Sequence, residues 1–95
     1  MKNNISQDEL ILKLRDKIDN IDSNIINLIA NRMTIIKQIG EIKNKNKNNI
    51  IDPHRESNLK NLHNKLSNKC NLDPIFVEKL FDLIIKYARS IQKDL

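Results

Sequence analysis

Glycine occurs once, at Gly40, proline twice, at Pro53 and Pro74, and aromatic residues make up 3% of the 95-residue chain, with no tryptophan. That scarcity removes the usual material of tight hairpins and half-buried strands, and it points to an all-α protein. The single cysteine, Cys70, excludes an internal disulfide, so a reducing compartment is the default. His54 and His63 stand outside any cysteine and histidine spacing that holds zinc, and no metal is expected. No apolar run approaches the roughly 20 residues of a membrane span, and Met1-Lys2-Asn3-Asn4 lacks the apolar stretch of a signal peptide. The expectation is a soluble, cytoplasmic protein with no membrane partner.

What is present is 39% hydrophobic and 31% charged, a globular balance. The chain is organised around one amphipathic stretch, residues 6–43. Its apolar residues at Ile11, Leu14, Ile18, Ile21, Ile25, Leu28, Ile35, Ile39 and Ile42 alternate three and four apart, a seam on one helical face. Such a helix would be roughly 57 Å long, against roughly 32 Å across for a compact globule of this size. The seam therefore has to be buried against another chain, and an intertwined helical homodimer is the simplest solution. The chain reads as a single domain, 1–95, with a long first helix.

Capping chemistry marks the boundaries. Ser6-Gln7-Asp8-Glu9 is a capping box, and Asp52-Pro53 and Asp73-Pro74 each give an N-cap followed by proline at the first helical position. These signals predict helices over about 6–43, 53–68 and 74–94. Asn44 to Asn49, reading NKNKNN, is a polar low-complexity linker. Leu59, Leu62 and Leu66 are expected to face the core from the second helix; from the third, Val77, Leu80, Phe81, Ile84, Ala88 and Ile91.

A net charge of +5 favours anionic partners, and its makeup says more than its size. Of seventeen basic residues only four, Arg15, Arg32, Arg55 and Arg89, are arginine. Where a lysine-rich chain uses arginine, the planar fork that grips carboxylates is a reason to do so. Arg32 interrupts the apolar seam, and a guanidinium there needs a partner or water. Lys43, eleven residues on, lies only about 20° around the helix and roughly 16.5 Å along it, so both heads can lean toward one gap. Two uses stay open: pairing with a carboxylate across the bundle, or holding a small anion. Arg15 is about 25 Å from Arg32 along the helix, out of reach within one chain. Taken alone, Arg15 reads as a surface residue; in an antiparallel pair of long helices, one protomer's Arg15 could instead approach the other's Arg32, giving two equivalent sites. Arg55 and Glu56 lie one turn before Leu59, and Gln92 sets a neutral amide beside the core face of the third helix. These positions describe a pocket rich in carboxylate binders, without an obvious nucleophile, metal or catalytic histidine.

The fragments Leu14-Arg15-Asp16-Lys17-Ile18-Asp19-x-Ile21-Asp22, Asn31-Arg32-Met33, Gly40-x-x-Lys43, Asp52-Pro53-x-Arg55-Glu56 and Leu83-Ile84-Ile85 followed by Gln92 together resemble the all-helical, AroQ-type chorismate mutase family. The match runs over nearly the whole chain. The resemblance implies an intertwined homodimer with two active sites, the substrate chorismate and no cofactor. It implies that Arg32 and the partner subunit's Arg15 bind the substrate carboxylates, that Lys43 contacts a carboxylate and the ether oxygen, and that Gln92 donates to that oxygen. Glu56 and the backbone amide of Asp52 would hold the substrate hydroxyl, with Arg55 in support. The family often has serine where this chain has Ala88, so one side-chain hydrogen bond is missing.

Chorismate to prephenate is an intramolecular rearrangement that needs neither nucleophile nor metal, in keeping with the residues found. Two alternatives are carried beside it. An isochorismate pyruvate lyase shares the fold, but Glu56 after Arg55 follows the mutase pattern. A nonenzymatic basic dimer binding nucleic acid would carry a continuous solvent-facing basic stripe and aromatic platforms. Here the arginines border apolar seams, and no nucleic-acid partner is expected.

Overall fold

The computed structural model describes residues 6–45 and 52–93. Three helices follow in order, α1 (Gln7–Lys45), α2 (Pro53–Lys69) and α3 (Pro74–Lys93), with no strand among the described residues. The chain is all-α, as its glycine, proline and aromatic content requires. None of these helices is long and apolar enough to cross a membrane.

Each helix starts on the side chain that the sequence marks. Ser6 Oγ accepts the Glu9 N–H at 3.2 Å, and Asp8 and Glu9 put negative charge at the positive end of the α1 dipole. Asp52 has extended backbone, φ −123° and ψ 95°, and its Oδ1 accepts the Arg55 N–H at 3.0 Å. Pro53 follows where an N–H would have no helical acceptor. At α3, Asp73 Oδ1 accepts the Ile75 N–H at 2.9 Å and the Asp73 carbonyl accepts from Val77.

The end of α1 departs from expectation: the helix runs through Gly40 and Lys43 as expected but continues through Asn44 and Lys45, two residues assigned by composition to a linker. Lysine propagates a helix well, and Lys43 brings positive charge to the negative end of the dipole. Asn46 to Asn49 of the same polar run, and residue 94 at the expected end of the third helix, lie outside the described residues. At the end of α2, Asn71 adopts the left-handed conformation, φ 57°. The Leu72 N–H bonds the Ser67 carbonyl at 2.9 Å and the Asn71 N–H bonds that of Asn68 at 3.3 Å. This paired closure satisfies the last carbonyls of the helix and turns the chain toward α3.

The chain divides into two compact units, one ending at Arg32 and one beginning at Met33. In the first, the described structure is the α1 helix itself. Its seam residues Ile11, Leu14, Ile18, Ile21, Ile25 and Leu28 are each between 44% and 66% exposed. In the second, α2 and α3 form an antiparallel hairpin joined through the Asn71 turn, with the last three turns of α1 beside it.

The packing face within this second unit is not the one that apolar spacing selects. On α1 the covered residues are Met33, Ile36, Gly40 and Lys43, whereas Ile35, Ile39 and Ile42 stay exposed. On α2, Leu59 is half-buried as expected, but Leu62 and Leu66 face outward and His63 and Ser67 face inward. The row Leu59, His63, Ser67 wins because α3 can approach it closely. The His63 ring stacks on Phe81 with centroids 3.8 Å apart, and the small Ser67, 2% exposed, returns its hydroxyl to the His63 carbonyl at 2.6 Å. On α3, Val77 and Ala88 are buried and Phe81, Ile84 and Ile91 half-buried, while Leu80, expected inside, is 40% exposed. An exposed Lys60–Glu78 contact at 4.0 Å adds little between α2 and α3.

Candidate active site

The amide of Gln92, near the end of α3, is buried. The residue is 6% exposed, and its Nε2 donates to the backbone carbonyl of Ile36 in α1 at 3.2 Å. That carbonyl belongs to the helical turn closed by Gly40, four residues on, which is itself buried. In a helix the Cα–Cβ bond leans toward the N-terminus, so any side chain at position 40 would lean over the turn that Gln92 approaches. Glycine is needed here for access rather than for an unusual φ.

Ile36 stands in register with one of the residues picked out on α1. Lys43 is two turns after it, along one stripe of the helix surface, whereas Arg32 is the last residue of the first unit. Both are half-buried, and Lys43 belongs to the same unit as Gln92. A partly covered ammonium and a buried carboxamide on adjoining helices are two hydrogen-bond donors without a redox or nucleophilic function. Among the described residues no group of histidine, cysteine and carboxylate side chains could hold a metal ion.

Glu56, in the first turn of α2, spans the hairpin. Its Oε1 accepts from Arg89 Nη2 on α3, the two side chains being 32% and 37% exposed. Arg89 directly follows Ala88, which is 4% exposed and offers no side-chain donor, and it precedes Gln92 by almost one turn. The Asp52 carboxylate is engaged in capping α2, and Arg55 beside it is exposed. Arg15 is exposed on the first unit. A cavity of about 910 Å³ opens between α2 and α3, lined by Glu56, Lys60, Asn64, Phe81, Ile85 and Arg89 among others. Of the residues singled out in the sequence it takes in Glu56, and neither Lys43 nor Gln92 lines it.

Two features escaped the sequence reading. The first is the Arg89–Glu56 pair, whose members are 33 residues apart. The preference for lysine elsewhere flagged Arg89, but nothing local gave it a partner. The second is the Gly40 approach, because a buried glycine carries no hydropathy signal.

An all-helical chain with this order of caps and this placement of arginine, lysine and glutamine defines a class, and comparison with known proteins gives the family. The chorismate mutase type II family profile matches residues 14–93, and the chain belongs to that family. It is similar to the chorismate mutase of Methanocaldococcus jannaschii, 36% identical over 85 residues that make up 90% of this chain and 86% of that one. It is 39% identical over 85 residues to the bifunctional chorismate mutase/prephenate dehydratase of Buchnera aphidicola subsp. Schizaphis graminum, 90% of this chain but 22% of that one. The T-protein of Enterobacter agglomerans is 25% identical over 81 residues, 85% of this chain and 22% of that protein. The chain thus spans most of the archaeal relative and under a quarter of the two larger ones.

Proposed function

We propose that this chain is a chorismate mutase, an isomerase converting chorismate to prephenate in the biosynthesis of phenylalanine and tyrosine. The observation that carries the reading is the buried Gln92 amide lying against the α1 turn at Ile36, two helical turns before the half-buried Lys43. The 36% identity to the archaeal chorismate mutase supports it.

In the proposed mechanism the chain supplies restraint and charge, and the substrate supplies all the bonds. The ether carbon–oxygen bond breaks as a carbon–carbon bond forms within the same molecule, so no proton, electron pair or leaving group passes to the protein. Arg32 and the partner subunit's Arg15 hold the two carboxylates and select the folded conformer, an effect that can reach several kcal/mol. Lys43 and Gln92 donate to the ether oxygen as negative charge grows on it. Glu56, with the Asp52 amide and Arg55 nearby, receives the substrate hydroxyl. Ala88 takes no side-chain part. No cofactor is required by this chemistry.

The homodimer belongs to the same proposal. A second copy would cover the exposed seam of residues 11–28 and bring its Arg15 to the site. The protein is proposed to act in the cytoplasm, without nucleic-acid or membrane partners. The test is product identification after incubation with chorismate and, separately, isochorismate, beside an Arg32→Ala control. Catalytic prephenate formation lost in the control is expected. Pyruvate and salicylate from isochorismate without prephenate would replace the mutase with the lyase, and no turnover of either would remove the enzymatic reading.

A further inference from the structure

We propose that Arg89 is a positioning residue for Glu56, fixing the carboxylate that receives the substrate hydroxyl; this rests on the mutase reading above. Glu56 sits in the first turn of α2, where a carboxylate is already favoured by the helix dipole and needs no distant partner. It nevertheless reaches across the hairpin to Arg89 on α3, 33 residues away. The guanidinium engages Oε1, and in this proposal Oε2 accepts the hydrogen bond from the substrate hydroxyl.

The pairing has two chemical effects. A carboxylate held by a guanidinium is an acceptor, and it selects a hydroxyl that donates. The pairing also restricts rotation of a flexible side chain, so Oε2 is presented in one place. The location on α3 fits that task. Ala88, immediately before Arg89, is buried without a donor, and Gln92, three residues after it, is committed to the α1 turn. Arg89 is the residue of this stretch that reaches α2.

A positioning role and a mere clasp between helices differ in what they do to catalysis. The measurement is steady-state kinetics of Arg89→Met, Arg89→Lys, Glu56→Gln and the Arg89→Met/Glu56→Gln double variant, with the melting temperature of each. Arg89→Met keeps much of the aliphatic stem and removes the charge. Because the pair is about one-third exposed, the expected loss is at the low end for a charged hydrogen bond, a rise in KM of about tenfold with kcat changed by less than about threefold. Arg89→Lys should recover part of that loss by restoring the charge without the fork. In the Glu56→Gln background the same Arg89→Met change should alter KM by less than about twofold, because the group it positions is gone. A chorismate analogue lacking the hydroxyl should be equally insensitive to Arg89→Met.

Three results would overturn the proposal. A full KM effect retained in the Glu56→Gln background or toward the deoxy analogue would make Arg89 a direct substrate binder. A lowered melting temperature at unchanged KM would make the pair a structural clasp. Should Arg89→Met fail to fold, Arg89→Lys carries the test, and a KM in that variant equal to that of the unmodified protein would remove the role of the guanidinium fork. If the unmodified protein does not turn over chorismate, the mutase reading itself has failed and this role falls with it, an outcome read before any variant is made.

Discussion

Replacing Gly40 with alanine sets two opposing effects against each other at one atom. Helix propensity alone favours alanine by about 1 kcal/mol in a helix interior. Gly40 is buried, however, and the Gln92 amide reaches the Ile36 carbonyl at 3.2 Å in the turn over which a methyl at position 40 would lean. Inserting a methyl into a filled space costs about 1–3 kcal/mol, and displacing the Gln92 hydrogen bond adds about 0.5–1.5 kcal/mol. The net expectation is destabilisation of about 1–3 kcal/mol, the reverse of the propensity prediction. For a domain of this size that lowers the melting temperature by roughly 5–20 °C. Thermal unfolding of both proteins at one fixed protein concentration is the assay, followed by kcat on chorismate, which should fall because Gln92 no longer meets α1 in the same place. A Gly40→Ala protein that melts higher, with unchanged kcat, would refute the close approach and with it the placement of Gln92.

Lys43→Ala is expected to lower kcat about 100-fold or more by removing charge stabilisation at the ether oxygen, whereas Arg32→Lys should mainly raise KM by losing the bidentate grip. Near-unchanged steady-state kinetics in either variant would contradict the assigned role. Arg15→Ala and Arg32→Ala proteins should each be nearly inactive. Unfolded together and refolded as a one-to-one mixture, they should regain about a quarter of full activity, because half of the dimers combine one of each and carry one intact site. No recovery would remove Arg15 from the shared site. Asn71→Ala should cost about 1 kcal/mol in urea unfolding, since its φ of 57° disfavours a Cβ without a compensating polar side chain, while kcat stays unchanged.

The helix starts were legible in the sequence because their cause is local: Ser6, Asp52 and Asp73 each satisfy donors two or three residues away. The packing faces were legible only in part. Spacing along α1 picks out the most apolar stripe, yet its last turns cover Met33, Ile36 and Gly40, a mixed row whose value lies in how near another helix can come. Likewise Leu62 and Leu66 outrank His63 and Ser67 in hydropathy but not in fit against Phe81 and its neighbours. Lys43 and Gln92 were found as polar residues on covered faces. Arg89 was not assigned a role, because its partner Glu56 lies on another helix and the pair leaves no periodic trace.

Covered by the second copy proposed above, the isoleucine-rich stripe along residues 11–28 would make concentration a variable of the fold. Any species that covers the stripe only in the native state adds stability by mass action, by about 1.4 kcal/mol for each tenfold rise in its amount once it is in excess. In that dimer, dilution would withdraw the support, and a chain firm in a concentrated sample would unfold more readily in a dilute one. The same surface, met by the wrong neighbour, favours disordered association. How much of such a dimer stands ready to work would then be a question of supply as well as of sequence.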